Sequence, residues 1–263
     1  MGKNLLQQTE ELLDSMDTIS LEEMDHVVLM RRTDTKYVLP SDQVPELLKE
    51  VSGSYRVLNI QDLKMQEYQT VYYDTPDFSM YHHHHNQRLN RYKIRVREYV
   101  SSGITFLEVK FKNNKRETIK KRIKPGETPL TMVNGFKDFL EKNSPYSPEE
   151  LQPALENSFI RITLVHREIP ERITIDLNLI YKRTDQEKNI RLPGVSIIEV
   201  KRNRDSNHSD MVKALHYRHI QPMGFSKYCM GTALTQDSVK KNLFRKRLRQ
   251  LSKMDENFKI LQN

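Results

Sequence analysis

Apolar and polar positions change period along this chain, and the changes mark its elements. Residues 4 to about 16 place Leu5, Leu6, Leu12, Leu13 and Met16 at helical spacing, which predicts a short amphipathic helix. From Val27 onward the period becomes two. Strand-like alternation covers 31–39, 67–74, 90–100, 104–112, 117–123, 159–167, 171–181 and 195–202. Helical spacing interrupts it at 42–51, 132–142, 148–157 and 209–217, with Ser41 and Ser147 as N-cap candidates and Pro148 at a first helical position. Ser101-Ser102-Gly103 and Asn113-Asn114 read as hairpin turns, and residues 124–129 as the longest irregular stretch. Many hairpin-linked strands with helices between groups predict an α+β fold on a large antiparallel sheet. The organisation is an N-terminal amphipathic helix (1–24), one domain (25–235) and a basic C-terminal helix (236–263).

Alternate side chains of a strand point to opposite faces, and here the two faces differ in kind. Arg91, Lys93, Arg95 and Arg97 share a face opposite Tyr92, Ile94 and Val96. Phe106, Glu108, Lys110 and Lys112 oppose Leu107, Val109 and Phe111, while Lys120 and Arg122 oppose Ile119 and Ile123. The pattern recurs with Arg161, Thr163 and Arg167; with Arg172, Thr174, Asp176 and Asn178 against Ile173, Ile175, Leu177 and Leu179; with Glu199 and Lys201; and with Asp34 and Lys36. A flat sheet exposing this much positive charge would repel itself. A sheet that closes places the cations in a lumen, where a polyanion relieves the repulsion.

Composition narrows the choice. The chain has 263 residues with 43 Lys and Arg against 35 Asp and Glu, a net charge of +8. That balance points to an anionic partner. One cysteine, Cys229, excludes a disulfide framework and a Cys-based zinc site. The first residues form no signal peptide, Leu6 stands where a myristoylation motif needs Ser or Thr, and nowhere do eighteen apolar residues run together. The expectation is a soluble, cytoplasmic protein of a reducing compartment. Membrane contact belongs, if anywhere, to the tail 238–254, whose seam of Val239, Leu243, Leu248 and Leu251 is expected to pack on its own protein.

Arg forks and Lys point charges suit phosphate oxygens. A lumen excludes duplex nucleic acid, and exposed aromatic pairs for stacking single strands are missing. The ligand class that remains is a slim phosphate chain: ATP's triphosphate tail, triphosphate or polyphosphate. Isolated carboxylates among cations suit a divalent metal of the oxygen-loving kind, Mg²⁺ or Mn²⁺. His82 to His85 read as a loop at the tunnel mouth, His166 as structural, and Tyr72, Tyr73 and Tyr81 around Asp74 as packing groups.

The ordered segments YYDTPDFSMY (72–81), NRYKIRVREY (90–99), FLEVKFK (106–112), IKKRI (119–123), ERITIDLNL (171–179), IIEVK (197–201) and FSKY (225–228) resemble the vacuolar transporter chaperone (VTC) domain. That domain is the polyphosphate polymerase branch of the triphosphate tunnel (CYTH-like) superfamily. The resemblance spans roughly residues 25 to 232. It implies a closed antiparallel β-barrel tunnel with peripheral helices, and transfer of ATP's terminal phosphate to polyphosphate with manganese. By motif, Lys36, Arg95, Arg97, Lys110, Arg167 and Lys201 take the catalytic positions, with Arg161 competing for the role of Arg167. Arg91, Lys93, Lys120, Arg122, Arg161, Arg172 and Lys227 are substrate-binding candidates, and Glu199 and Glu108 are metal-binding candidates. Asp34 stands where the wider superfamily has several glutamates, which favours polymerase over two-metal hydrolase. A metal-dependent triphosphatase and a non-catalytic phosphate-chain binder are the alternatives.

Overall fold

A computed structural model describes residues 4–25, 32–115, 117–124, 136–185, 189–203 and 208–255. The strands in chain order are β1 (Thr18–Ile19), β2 (Arg32–Pro40), β3 (Tyr55–Leu58), β4 (Met65–Asp74), β5 (Arg91–Tyr99), β6 (Ile104–Lys112), β7 (Thr118–Ile123), β8 (Gln152–His166), β9 (Glu171–Lys182), β10 (Asn189–Leu192) and β11 (Val195–Asn203). The helices are α1 (Leu5–Asp14), α2 (Leu21–Asp25), α3 (Val44–Val51), α4 (Ser79–His85), α5 (Phe136–Asn143), α6 (Asp210–Tyr217), α7 (Lys227–Thr235) and α8 (Arg245–Met254).

All the strands join one sheet, whose main path runs β2-β11-β9-β8-β4-β5-β6-β7. Every pairing along that path is antiparallel. The sheet curls into a tunnel. Its end strands β2 and β7 have no pairing with each other among the described residues, so the curl is an open half-barrel rather than a hydrogen-bonded ring.

The outer face is apolar because the period-two pattern leaves Ile, Leu and Val there, and helices cover it. Tyr37, Leu39, Ile162, Leu164, Ile173, Ile175, Leu177, Ile198 and Val200 pack with buried residues of α1, α3 and α6. Ile94, Val96, Leu107 and Val109 pack with Phe136 and Leu140 of α5. At one end the inner face is apolar too. There Val38, Leu155, Leu179, Tyr181 and Ile197 meet Tyr228, Cys229 and Met230 of α7 together with Phe244, Leu248 and Leu251 of the C-terminal segment.

A β-bulge produces that switch. The register between β8 and β9 shifts from Ser158↔Ile180 to Ile160↔Leu177, and Asn178 adopts φ 51°. The extra residue reverses the alternation beyond it. The sequence pattern put Leu177 and Leu179 on one face; Leu177 packs on the outside and Leu179 on the inside.

Other expectations are corrected. Residues 148–157 do not form a helix: a 3-10 turn at Pro148–Glu150 carries a Ser147 capping box, and the chain enters β8 at Gln152. Pro153 opposes a helix interior, and ladders to β4 and β9 outweigh the local spacing. Ser41 does not cap a helix; its Oγ accepts a 2.8 Å hydrogen bond from Ser196. His82–His85 lie in α4 rather than in a loop. The expected irregular stretch falls largely, and the start of the 132–142 helix wholly, outside the described residues. Among the described residues, no helix is long and apolar enough to cross a membrane.

Candidate functional site

The curled sheet encloses a cavity of about 590 Å³. Its wall carries Lys36, Lys93, Arg95, Arg97, Lys110, Lys120, Arg161, Arg172, Lys201 and Lys227. Asp34, Asp176 and Glu199 are the carboxylates among its lining residues. Period two sends all of these side chains but that of Lys227, which starts α7, inward from β2, β5, β6, β7, β8, β9 and β11, so one lumen gathers residues far apart in sequence.

Three carboxylates organise the cations, each gripping two. Glu199 pairs with Lys36 on the neighbouring strand and with Lys201 on its own. Asp176 receives Arg161 in a bidentate pair, at 2.6 and 2.8 Å, and Lys227 from the start of α7. Glu108, fully buried in the wall, holds Arg95 (Nε to Oε2 2.6 Å) and Lys120. Burial alone would raise all three carboxyl pKa values. The paired cations outweigh it and hold each far below the usual carboxylate range.

Lys93, Arg97 and Lys110 are different. Among the described residues none of them has a carboxylate within ion-pair distance. Lys93 donates to Ser226 Oγ at 2.9 Å and Arg97 to Thr70 Oγ1 at 3.3 Å, both neutral acceptors. Arg97 also lies over the rings of Tyr68 and Phe159, at 5.3 and 5.8 Å. Burial, with Arg95 and Arg161 nearby, pushes the Arg97 guanidinium down to about 10. The Arg95 charge, then burial, drives Lys110 well below its ordinary value, and burial lowers Lys93. These cations meet in one lumen with less negative charge than they need. Such an arrangement binds an anion strongly and carries a stability cost without one.

Some sequence candidates lie elsewhere. Arg167 is exposed just beyond β8 and pairs with Asp17 at 2.7 Å; Arg161, the competing residue, lines the cavity. The alternation fails Arg167 because the strand ends at His166. Arg91 donates to the carbonyl of Arg88, and Arg122 is an exposed residue over the ring of Phe106. Conversely, Tyr72, His84, Ser226 and Arg247 line the cavity unpredicted. Tyr72 sits on the inward parity of β4, a usable signal, and its hydroxyl accepts from Arg95 at 3.4 Å. The positions of His84 and Arg247 follow from helix docking, which the local pattern does not encode.

The oxygen-donor chemistry suits a divalent metal at Glu199. Its side chain is 17% exposed, and Asp34 stands on the adjacent strand opposite Lys201. One or two carboxylates plus phosphate oxygens are what Mg²⁺ and Mn²⁺ take. Glu108 fits poorly: it is gripped by two cations as Glu199 is, but it is fully buried and is not among the residues that line the cavity.

A second cluster, His166, His208 and Asp210, brings its ligand atoms within 4.8 Å of one another. Its chemistry argues against a metal. His166 Nδ1 accepts the backbone N–H groups of Glu168 and Ile169, at 3.1 and 3.2 Å. His208 Nδ1 faces the Lys213 ammonium at 3.1 Å. The partners of Nδ1 favour the tautomer with its proton on Nε2, the atom turned toward Asp210 at 3.2 and 3.1 Å, and that tautomer presents an N–H rather than a lone pair to an ion.

Among solved structures the chain is similar to a candidate adenylate cyclase from Bacillus halodurans (TM-score 0.48, 12% identity, 75% of this chain and 96% of that one). It is also similar to one from Vibrio parahaemolyticus (TM-score 0.44, 16% identity, 76% and 98%). A third, a candidate adenylyl cyclase from Hippeastrum described as revealing a dominant triphosphatase activity, gives TM-score 0.45 and 13% identity over 77% and 95%. No curated protein matches. The sequence model of the VTC domain matches residues 31–236, nearly the whole sheet and its helices. With that match spanning most of its length, the chain belongs to the VTC domain family.

Proposed function

We propose that this protein is a polyphosphate polymerase-type phosphotransferase that binds ATP and polyphosphate in its basic tunnel. The observation that carries the reading is the set of Lys93, Arg97 and Lys110, which share one lumen and have no carboxylate within ion-pair distance among the described residues, while Glu108, Asp176 and Glu199 each already grip two cations. A phosphate chain supplies negative charge at close intervals along such a lumen.

Arg95 and Arg97, adjacent on the inward face of β5, and Lys110 opposite Lys93 on β6, cradle the transferring phosphate and the charge that spreads over its oxygens. Arg161 is held in place by Asp176 and Arg95 by Glu108, so both present their forks without reorganising. Lys36, Lys201 and Lys227 neutralise neighbouring phosphates. Glu199, with Asp34 near it, would hold Mn²⁺ or Mg²⁺, which supplies charge neutralisation on the terminal phosphates. An oxygen of the acceptor's terminal phosphate attacks the γ-phosphorus. The bond from that phosphorus to the β–γ bridging oxygen breaks, ADP leaves, and the chain grows by one phosphate. A cytoplasmic location belongs to the same reading.

The test is incubation with ATP and Mn²⁺, resolving phosphate chains on a gel and counting orthophosphate. A ladder of chains is expected, and Glu199→Ala should abolish it while retaining phosphate binding. Orthophosphate alone would make the protein a hydrolase. Activity surviving in Glu199→Ala would remove that residue from the metal site.

A further inference from the structure

The cavity continues past Lys93. Beyond that residue its wall is His84 of α4, Gly224 and Ser226 ahead of α7, and Phe244 and Arg247 from the C-terminal segment. Arg247 belongs to the basic helix α8. It lines the lumen, whereas Arg245, Lys246 and Arg249 are exposed. Its guanidinium lies 5.8 Å from the Phe244 ring centroid, and no carboxylate pairs with it among the described residues. A Cβ on Gly224 would sit 3.7 Å from its Nη2, so the chain entering α7 runs alongside.

His84 faces the same end. Burial, reinforced by Lys93, Arg91, Arg247 and Lys112, pushes its pKa down to about 2, so the ring is neutral. Its Nδ1 is buried without a hydrogen-bond partner among the described residues, an atom that in most proteins is satisfied. The two elements are locked together. Tyr81 donates its hydroxyl to the Lys240 carbonyl at 2.7 Å, and His85 Nε2 accepts the Leu243 N–H at 3.3 Å. Phe244 packs against Tyr81 and His85, with ring centroids 6.0 and 5.5 Å apart. Tyr81, His84 and His85 of α4 thus form a cradle for the tail, and the docked tail carries Arg247 to the lumen.

We propose that His84 and Arg247, together with Lys93, form a second phosphate subsite at the far end of the cavity, holding the phosphates of an inorganic chain that extend beyond a bound triphosphate. This rests on the reading of the tunnel as a phosphate-chain site. The wall from Arg97 to Lys93 alone rises about 13 Å at ~3.3 Å per residue. The cavity then goes on to Arg247, a length that suits a chain longer than the triphosphate seated at Arg95, Arg97 and Lys110. A neutral imidazole among cations donates to a phosphate oxygen without adding to the repulsion. Arg247, fixed over Phe244, offers a fork to the next.

The experiment is calorimetric titration of the full chain with tripolyphosphate and with long-chain polyphosphate, at one salt concentration, for the natural protein, Arg247→Met and Arg247→Lys. Methionine keeps the stem over Phe244 and removes the charge. Arg247→Met is expected to weaken the long chain by roughly tenfold or more, the size of one lost charge-assisted contact. It should leave tripolyphosphate affinity within twofold, and Arg247→Lys should recover most of the loss. Equal weakening of both ligands, or of neither, overturns the subsite while the tunnel reading stands. Failure of the natural protein to bind either ligand overturns the tunnel reading itself.

Discussion

Removing a positive charge from the tunnel should make the empty protein more stable and the phosphate-bound protein less so. Arg97 is the best position for the test, because it is buried, lies over Tyr68 and Phe159, and has no carboxylate partner among the described residues. Its pKa falls from an ordinary 12.5 to about 10. A base whose pKa is depressed by folding destabilises the folded state at every pH below the folded value. The penalty disappears as pH rises from the folded pKa towards the unfolded one. At neutral pH the depression corresponds to about 3 kcal/mol. Arg97→Met removes that penalty. It also removes the cation–π contacts and the hydrogen bond to Thr70, together about 2 kcal/mol. The net gain is about 1 kcal/mol, or a rise in Tm of about 2–4 °C. Thermal melting in phosphate-free buffer, with and without tripolyphosphate, reads both halves. The natural protein should gain about 2.7 kcal/mol of stability at a hundredfold excess of ligand over Kd, and the variant should lose most of that gain. A lower apo Tm together with an unchanged ligand shift would refute the argument that the lumen is short of negative charge.

Glu108→Gln acts in the opposite sense. It leaves Arg95 and Lys120 beside a neutral amide in the wall, and a cost of about 3–5 kcal/mol in urea unfolding is expected; an unaltered midpoint would deny Glu108 its organising role. Lys201 and Lys227 both have pKa values lowered by burial to about 8, so raising pH from 7 to 9 should weaken tripolyphosphate binding as the lumen loses charge. The empty protein should gain stability as pH rises from 8 towards 10.5, since the unfolded state then binds more protons. Affinity that does not change between pH 7 and 9 would count against both lysines. Gly231→Ala should destabilise by about 1–3 kcal/mol, because a Cβ there would stand 2.5 Å from both Leu155 Cδ2 and Tyr181 Cδ1. A Tm equal to the natural protein's would mean that α7 shifts on the sheet without penalty.

Much of the site is legible in the chain because a strand's alternation is local. Lys93, Arg95 and Arg97 share a face wherever β5 goes, and the same holds for Glu199 with Lys201 and for Asp34 with Lys36. The excess of cations on those faces pointed to a curled sheet and, as the proposed function has it, to an anionic ligand. The features that escaped depend on contacts between distant segments. Which carboxylate grips which cations follows from the registers of β2 on β11, β8 on β9 and β5 on β6. Arg161 rather than Arg167 reaches the lumen because β8 ends between them. The bulge at Asn178 rests on one residue in a left-handed conformation, and it turns the apolar side chains beyond it inward to meet α7. The local spacing of 148–157 favoured a helix, and two neighbouring strands overrode it. His84 and Arg247 meet only because the tail docks on α4. The sequence by itself determined most of the elements and their polar faces, since these follow from periods of a few residues. Tertiary structure alone decided which charges are paired and where the cavity runs, because those depend on strand register and helix docking between residues far apart in the chain.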